Sequence, residues 1–307
     1  MNKERKQFMK TCKPVLRVLA GVLTFACIAT AADAPKLHFH FKTISKPGAL
    51  QTSPYGINNS GDIVGYYINQ KGATHGFLLV NGKFTNIDDP NSAYGTNPVN
   101  LNSKGTIVGV YSIDSAGDAR GFSYQNGKFN DVGPQACEGS IESGAWGVND
   151  EGDIAGYCTD SSDVVHGYLF DGKNYTTLDY PGANNFTAAW GINNAGLVTL
   201  QWIDSSGNYE GATYNSKTGT YSKPINVPGA AQTYIHSINS AGDIVFSWYD
   251  SSGKAYGALR MGKKFYKFSD PKGPDYTKPD GINDKRAIVG RYEPSGAQYE
   301  QGFETNY

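Results

Sequence analysis

A ten-residue pattern recurs six times along this chain of 307 residues, reading Gly56-Ile-Asn-Asn-Ser-Gly-Asp-Ile-Val-Gly65 at its first occurrence. It returns as Asn100-Leu-Asn-Ser-Lys-Gly-Thr-Ile-Val-Gly109, Gly147-Val-Asn-Asp-Glu-Gly-Asp-Ile-Ala-Gly156 and Gly191-Ile-Asn-Asn-Ala-Gly-Leu-Val-Thr-Leu200. The last two copies are Ser237-Ile-Asn-Ser-Ala-Gly-Asp-Ile-Val-Phe246 and Gly281-Ile-Asn-Asp-Lys-Arg-Ala-Ile-Val-Gly290. The asparagines that anchor them, Asn58, Asn102, Asn149, Asn193, Asn239 and Asn283, stand 44, 47, 44, 46 and 44 residues apart. A period in this range belongs to a propeller blade or a solenoid unit.

Each unit divides into four short strands, A to D. Strand A ends at the Asn, as in Ala188-Ala-Trp-Gly-Ile-Asn193, and a tight polar turn leads into the apolar strand B, Asp-Ile-Val-Gly-x-Tyr. A loop such as Asp204-Ser-Ser-Gly207 opens strand C, and Asn81-Gly82, Asn126-Gly127 or Asp171-Gly172 turns C into D. Asn-Gly and Asp-Gly are the residue pairs that two-residue hairpin turns demand. With 38 Gly, 21 Tyr and 18% charged residues, the composition suits many short strands joined by tight turns.

The chain ends choose between an open array and a closed ring. The sixth unit stops in strand C, at Gly302-Phe-Glu-Thr-Asn-Tyr307, and has no strand D. The segment His38-Phe-His-Phe-Lys-Thr-Ile-Ser-Lys-Pro-Gly-Ala49 aligns with Asn174-Tyr-Thr-Thr-Leu-Asp-Tyr-Pro-Gly-Ala183, a strand D with its exit turn. The N-terminal strand therefore completes the last blade and leaves no long unpaired edge. The expected fold is all-β: a six-bladed β-propeller of four-stranded antiparallel blades over residues 36–307.

The pattern Gly-Ile-Asn-Asn-x-Gly-x-Ile-Val-Gly-x-Tyr, followed by His75-Gly-Phe-Leu78, resembles the extracellular HAF-type repeat family of bacterial exported proteins, and the Tyr180-Pro-Gly-Ala-Asn184 turn fits it too. The later units depart from it. Leu200 and Phe246 replace the strand-B glycine, and Gly-Ala at 211–212 and 257–258 replaces Gly-Phe. The resemblance implies an exported propeller and no particular activity.

Residues 1–31 are expected to be a cleavable signal peptide. Six basic residues precede an apolar run from Val18 that ends in Ala29-Thr-Ala31, and that run is too short to span a bilayer. Its removal takes six of the 27 basic and one of the 28 acidic residues, leaving a net charge of −6. Such a surface argues against nucleic acid as a partner. Cys12 and Cys27 leave with the leader, so Cys137 and Cys158 remain, in a secreted, extracellular or periplasmic setting where a disulfide is expected between them. No membrane span is expected after cleavage, and the mature chain reads as a monomer.

Three residues before each Asn stand Tyr55, Val99, Trp146, Trp190, His236 and Asp280, a position that varies while its neighbour two residues on stays Ile, Leu or Val. Strand A starts converge on the axis of a propeller. Tyr55, Trp146, Trp190, His236 and Asp280 are thus the candidate ligand-binding residues. One reading is a shallow cup that stacks a sugar on its aromatics and hydrogen-bonds it with His236 and Asp280; the other is that the aromatics wedge between blades. His75 and His166 share a repeat position that elsewhere holds Arg120, Glu210, Tyr256 and Gln301, which marks a surface site. No His cluster suits a metal, the loop aspartates Asp160, Asp204 and Asp250 fit turn chemistry, and neither metal nor cofactor is expected. The leading expectation is a ligand-binding or interaction module for glycans or surface proteins. The alternatives are a carbohydrate-active lyase or hydrolase with His236 as base and Asp280 or Tyr234 nearby, and a structural cell-envelope protein.

Overall fold

The computed structural model describes residues 37–114 and 118–307. The leader expected over residues 1–31, with Cys12 and Cys27, lies outside the described residues. Phe39–Tyr307 is one compact unit of 24 strands in six four-stranded sheets. Blade 1 holds β2 (Ala49–Ile57), β3 (Ile63–Asn69), β4 (Thr74–Val80) and β5 (Lys83–Asn86). Blade 2 holds β6 (Thr96–Leu101), β7 (Ile107–Ser112), β8 (Ala119–Gln125) and β9 (Lys128–Val132). Blade 3 is β10 (Glu142–Val148), β11 (Ile154–Thr159), β12 (Val165–Phe170) and β13 (Tyr175–Thr177). Blade 4 is β14 (Thr187–Ile192), β15 (Leu197–Ile203), β16 (Tyr209–Asn215) and β17 (Thr220–Tyr221). Blade 5 is β18 (Gln232–Ile238), β19 (Ile244–Tyr249), β20 (Ala255–Met261) and β21 (Lys264–Phe268).

Blade 6 takes its strands from both ends of the chain. It comprises β22 (Thr277–Ile282), β23 (Ile288–Tyr292), β24 (Gln301–Asn306) and, outermost, β1 (His40–Ile44). β1 runs antiparallel to β24, from His40 opposite Asn306 to Ile44 opposite Gly302. The innermost strands contact one another in the order β2, β6, β10, β14, β18, β22 and back to β2. The chain is a six-bladed β-propeller.

The motif earns its asparagine by bridging both within a blade and between blades. In Asn193 the Oδ1 accepts from the amides of Ala195 and Leu197, both at 3.0 Å, which shapes the A–B turn. Its Nδ2 donates to the carbonyl of Asn239 in the next blade at 2.9 Å. Asn58, Asn102, Asn239 and Asn283 repeat the interblade bond, the last reaching Asn58 at 2.9 Å across the closure. Asn149 instead donates to Asp153 at 2.9 Å. Only a side chain carrying both a donor and an acceptor serves both ends, so an ionised Asp, which has no donor, would fail here.

Local turn chemistry follows the sequence reading. Asn81 and Gly82 have φ of 49° and 78°, and Asn126 and Gly127 have 52° and 82°, the left-handed pairs of type I′ hairpins. In the sixth A–B turn Arg286 takes the positive φ that glycine takes elsewhere, and its Nε donates to Asp243 of blade 5 at 3.0 Å. The apolar faces meet between blades: Val64 of β3 packs with Ile87, Leu101, Ile107, Tyr111 and Phe122 in one core cluster. The loop aspartates cap their own turns, as where Asp204 Oδ1 accepts from the amides of Ser206 and Asn208 at 2.8 Å each.

Cys137 and Cys158 form a disulfide, with Cα atoms 6.2 Å apart. It ties the long loop entering blade 3 to β11, where Cys158 is fully buried. Cross-linking residues 21 apart restricts the unfolded chain, a contribution of about 3 kcal/mol. The double variant Cys137→Ser/Cys158→Ser should therefore lower the urea midpoint while folding to the same ring. An unchanged midpoint would remove the stabilising role.

Candidate functional site

The axial residues owe their placement to a defect repeated in every blade. The A–B ladder slips by one residue between Pro54 and Gly56, Pro98 and Asn100, Ala145 and Gly147, Ala189 and Gly191, and Pro279 and Gly281; in β18 it slips between Ile235 and Ile238. The slipped residues are Tyr55, Val99, Trp146, Trp190, His236 (with Ser237) and Asp280. A bulge frees its extra residue from the ladder and re-aims the side chain, here toward the axis. In every blade but the second, where Asn100 follows, the next residue is Gly or Ser, which lets the inner strands crowd together. A Cβ on Gly56, Gly147 or Gly281 would lie 2.8, 2.8 or 2.5 Å from backbone atoms of the next blade.

All five sequence-derived candidates, Tyr55, Trp146, Trp190, His236 and Asp280, do converge on the axis together with Val99. They form a plug rather than the shallow cup that was one of the two sequence readings. Trp146 and Trp190 meet edge-on at 4.2 Å between centroids, and Tyr55 and His236 lean on them at 6.4 Å each. The void left between them is about 20 Å³, room for a single water and not for a sugar ring. Six side chains converging on so narrow an axis fill it, whatever their polarity.

A larger space opens beside the plug, on the face where strands A begin. This cleft of about 380 Å³ spans blades 4, 5 and 6 and keeps only Trp190 and His236 from the predicted set. Its aromatic wall is an arc: Phe186 meets Tyr209 at 5.9 Å, Tyr209 meets Tyr234 at 4.9 Å, and Tyr234 meets Tyr249 at 5.5 Å. Its polar wall comes from Gln201, Ser247, Lys278 and Arg291. Gln201 is locked in place, since its Oε1 accepts from Ile235 N at 2.8 Å and its Nε2 donates to Thr233 O at 3.1 Å.

Sequence reasoning missed most of this wall. Gln201, Ser247 and Arg291 occupy the x of Ile-Val-Gly-x-Tyr, eight residues after each anchoring Asn, while Lys278 stands two before the axial position, as does Tyr234, which the sequence suggested only as a neighbour of His236. The signal was present. Tyr66, Val110, Tyr157, Gln201, Ser247 and Arg291 vary at that x inside a steady frame, as the axial residues do.

The electrostatics of the cleft centre on Arg291. It donates from Nη1 to Tyr55 Oη, with its guanidinium carbon 4.7 Å from the centre of that ring. It also approaches Asp280 at 3.7 Å and Glu300 at 3.4 Å. Glu300 accepts from Tyr276 Oη at 2.6 Å. Burial, against the opposing pull of Arg291, pushes Asp280 up to about 7, and its Oδ2 has no hydrogen-bond partner. Burial, reinforced by repulsion from Arg291 and Lys278, holds His236 down at about 3. Neutral His236 bonds through Nε2 to Ser247 Oγ at 2.9 Å.

His75 and His166 sit away from this centre, each paired with an aspartate of strand D's exit: His75 with Asp88 at 3.0 Å and His166 with Asp179 at 2.8 Å.

No family model matches the chain, and no curated protein is similar to it. Among solved structures it is similar to the SapL1 lectin in complex with α-methyl fucoside, at 11% identity and a TM-score of 0.57, covering 85% of this chain and 95% of that one. It is similar to TolB from Acinetobacter baumannii at 10% identity and a TM-score of 0.53, covering 80% of this chain and 64% of that one. A mutant Aleuria aurantia lectin in complex with Fucα1-6GlcNAc gives 15% identity and a TM-score of 0.51, covering 84% and 93%. The likeness is one of fold. At these identities none of their binding residues carries over to this chain.

Proposed function

We propose that the chain is an exported propeller that binds glycans in the cleft across blades 4 to 6. The observation that carries this reading is the arc of Phe186, Tyr209, Tyr234 and Tyr249 facing hydrogen-bonding side chains across about 380 Å³. Sugars offer an apolar C–H face to an aromatic ring and hydroxyls to polar groups at its rim, and pockets of this size and mixed lining suit a small ligand. Two propellers with related folds are solved with fucose-containing ligands, which agrees with the reading. Export is supported by the basic-then-apolar leader and by the Cys137–Cys158 disulfide. Membership of the HAF-type repeat family belongs to the same proposal.

The lyase or hydrolase alternative asks His236 to act as a base near neutral pH. A group held at about 3 is too weak a base for that, because general-base catalysis is most effective with a pKa near the working pH.

A glycan array probed with the full chain should give hits whose affinity falls about tenfold in Tyr234→Ala and again in Tyr249→Ala, the scale of one lost stacking contact. Thermal melts of both variants should stay close to the parent. An array without hits, or variants that bind as the parent does, would overturn the proposal.

A further inference from the structure

Lys278 and Arg291 stand directly opposite each other in the β22–β23 ladder of blade 6, and both line the cleft. Like charges at such a cross-strand pair repel. The equivalent pairs in the other five blades are Ser53–Tyr66, Asn97–Val110, Gly144–Tyr157, Ala188–Gln201 and Tyr234–Ser247, and none of them carries a charge. The repeat therefore departs from its own rule at one place, and that place is the wall of the cleft. Departures from a local rule gather at functional or strained positions, which directs attention to how each of these two cations is compensated.

The two cations are not equally compensated. Arg291 has Asp280 and Glu300 within 3.7 and 3.4 Å. Lys278 makes no ion pair among the described residues; its ammonium lies 5.3 and 4.7 Å from the ring centres of Tyr249 and Tyr276. It is a cation held among aromatic rings at the edge of a space bounded by the tyrosine arc.

We propose that the ligand of this cleft is an anionic glycan, whose carboxylate or sulfate group meets Lys278 while its sugar face lies on the tyrosines. The inference rests on reading the cleft as a glycan site and adds the chemical class. A charge-assisted hydrogen bond in a part-desolvated site is about twice as strong as a neutral one, so the acid group should dominate the choice of ligand.

The test is calorimetric titration of the full chain at low salt with three probes: trigalacturonate, the same trisaccharide with its carboxyl groups reduced, and a sulfated galactan trisaccharide. At least one acidic probe should bind about tenfold tighter than the reduced one, and raising the salt concentration should narrow that gap. Whichever of uronate and sulfate binds tighter identifies the acid group. Lys278→Gln should bring the acidic and reduced probes to similar affinities, and Lys278→Arg should restore the preference. Equal affinities of the parent for acidic and reduced probes would overturn the anionic class and leave the glycan reading standing. Failure of all three probes, together with an array without hits, would overturn both.

Discussion

A chain that begins at Pro47, and so lacks β1, should lose its cooperative unfolding transition at 25 °C. β1 pairs with β24 through five residues, and its Ile44 is buried in one cluster with Ile57, Tyr67 and Phe77 of blade 1 and Val289 of blade 6. Just before and within it, Phe39 stacks on Phe268 of blade 5 at 4.4 Å, and Phe41 meets the fully buried Phe303 at 5.3 Å. Deleting one buried Ile alone costs about 2–5 kcal/mol. Losing the strand removes that, the aromatic contacts and a ladder of backbone bonds together, against a total stability of about 5–15 kcal/mol for a typical domain. The β24 edge it exposes would invite aggregation. Urea unfolding followed by tryptophan fluorescence checks this, with Ile44→Ala as the graded control. A peptide covering residues 37–46, added in trans, should restore the transition. A truncated chain that unfolds within about 1 kcal/mol of the parent would show that closure does not depend on β1.

The extent to which the ring was legible follows from which features are local. The 44- to 47-residue period, the Asn-Gly turns and the split last unit are each written in contiguous residues, and they suffice for blade number and closure. The axial position was also legible, because a residue three before a steady Asn varies while its flank does not. What happens at the axis was not legible. Whether Trp146 and Trp190 leave a cup or close a plug depends on how near the inner strands come, which is set by the bulges and by the crowding at Gly56, Gly147 and Gly281. Strict alternation hides a bulge. The cleft was missed for a related reason: Tyr234 on strand A and Ser247 on strand B become neighbours only through register, as do Lys278 and Arg291. The pairing of Arg291 with Glu300 joins strand B to the following loop, a contact no period announces.

His236 and Asp280 should give stability two opposed dependences on pH. His236 sits at about 3 in the folded protein against an ordinary 6.5, so between those values the unfolded chain binds the proton and the folded one does not. Its contribution is present above 6.5 and is lost as the pH falls. Asp280 sits at about 7 against an ordinary 3.8, so in that window the folded protein holds the extra proton. Its contribution is present below 3.8 and is lost as the pH rises through 7. The two slopes have equal size and opposite sign where the windows overlap, so the parent should show little net effect from this pair between pH 4 and 6.5. Single substitutions unmask each half. Measured against the parent, Asp280→Asn should become steadily less stable as the pH falls from 7 towards 4, a change of about 4 kcal/mol at 1.36 kcal/mol per unit. His236→Gln, which can keep a bond to Ser247, should move the other way and lose stability relative to the parent as the pH rises from 3 to 6.5, by a similar amount. Urea midpoints of the three chains at half-unit intervals of pH give both curves, and other titrating groups cancel in the differences. Flat difference curves would mean that neither side chain titrates away from its ordinary value, and the account of a closed axis would go with them.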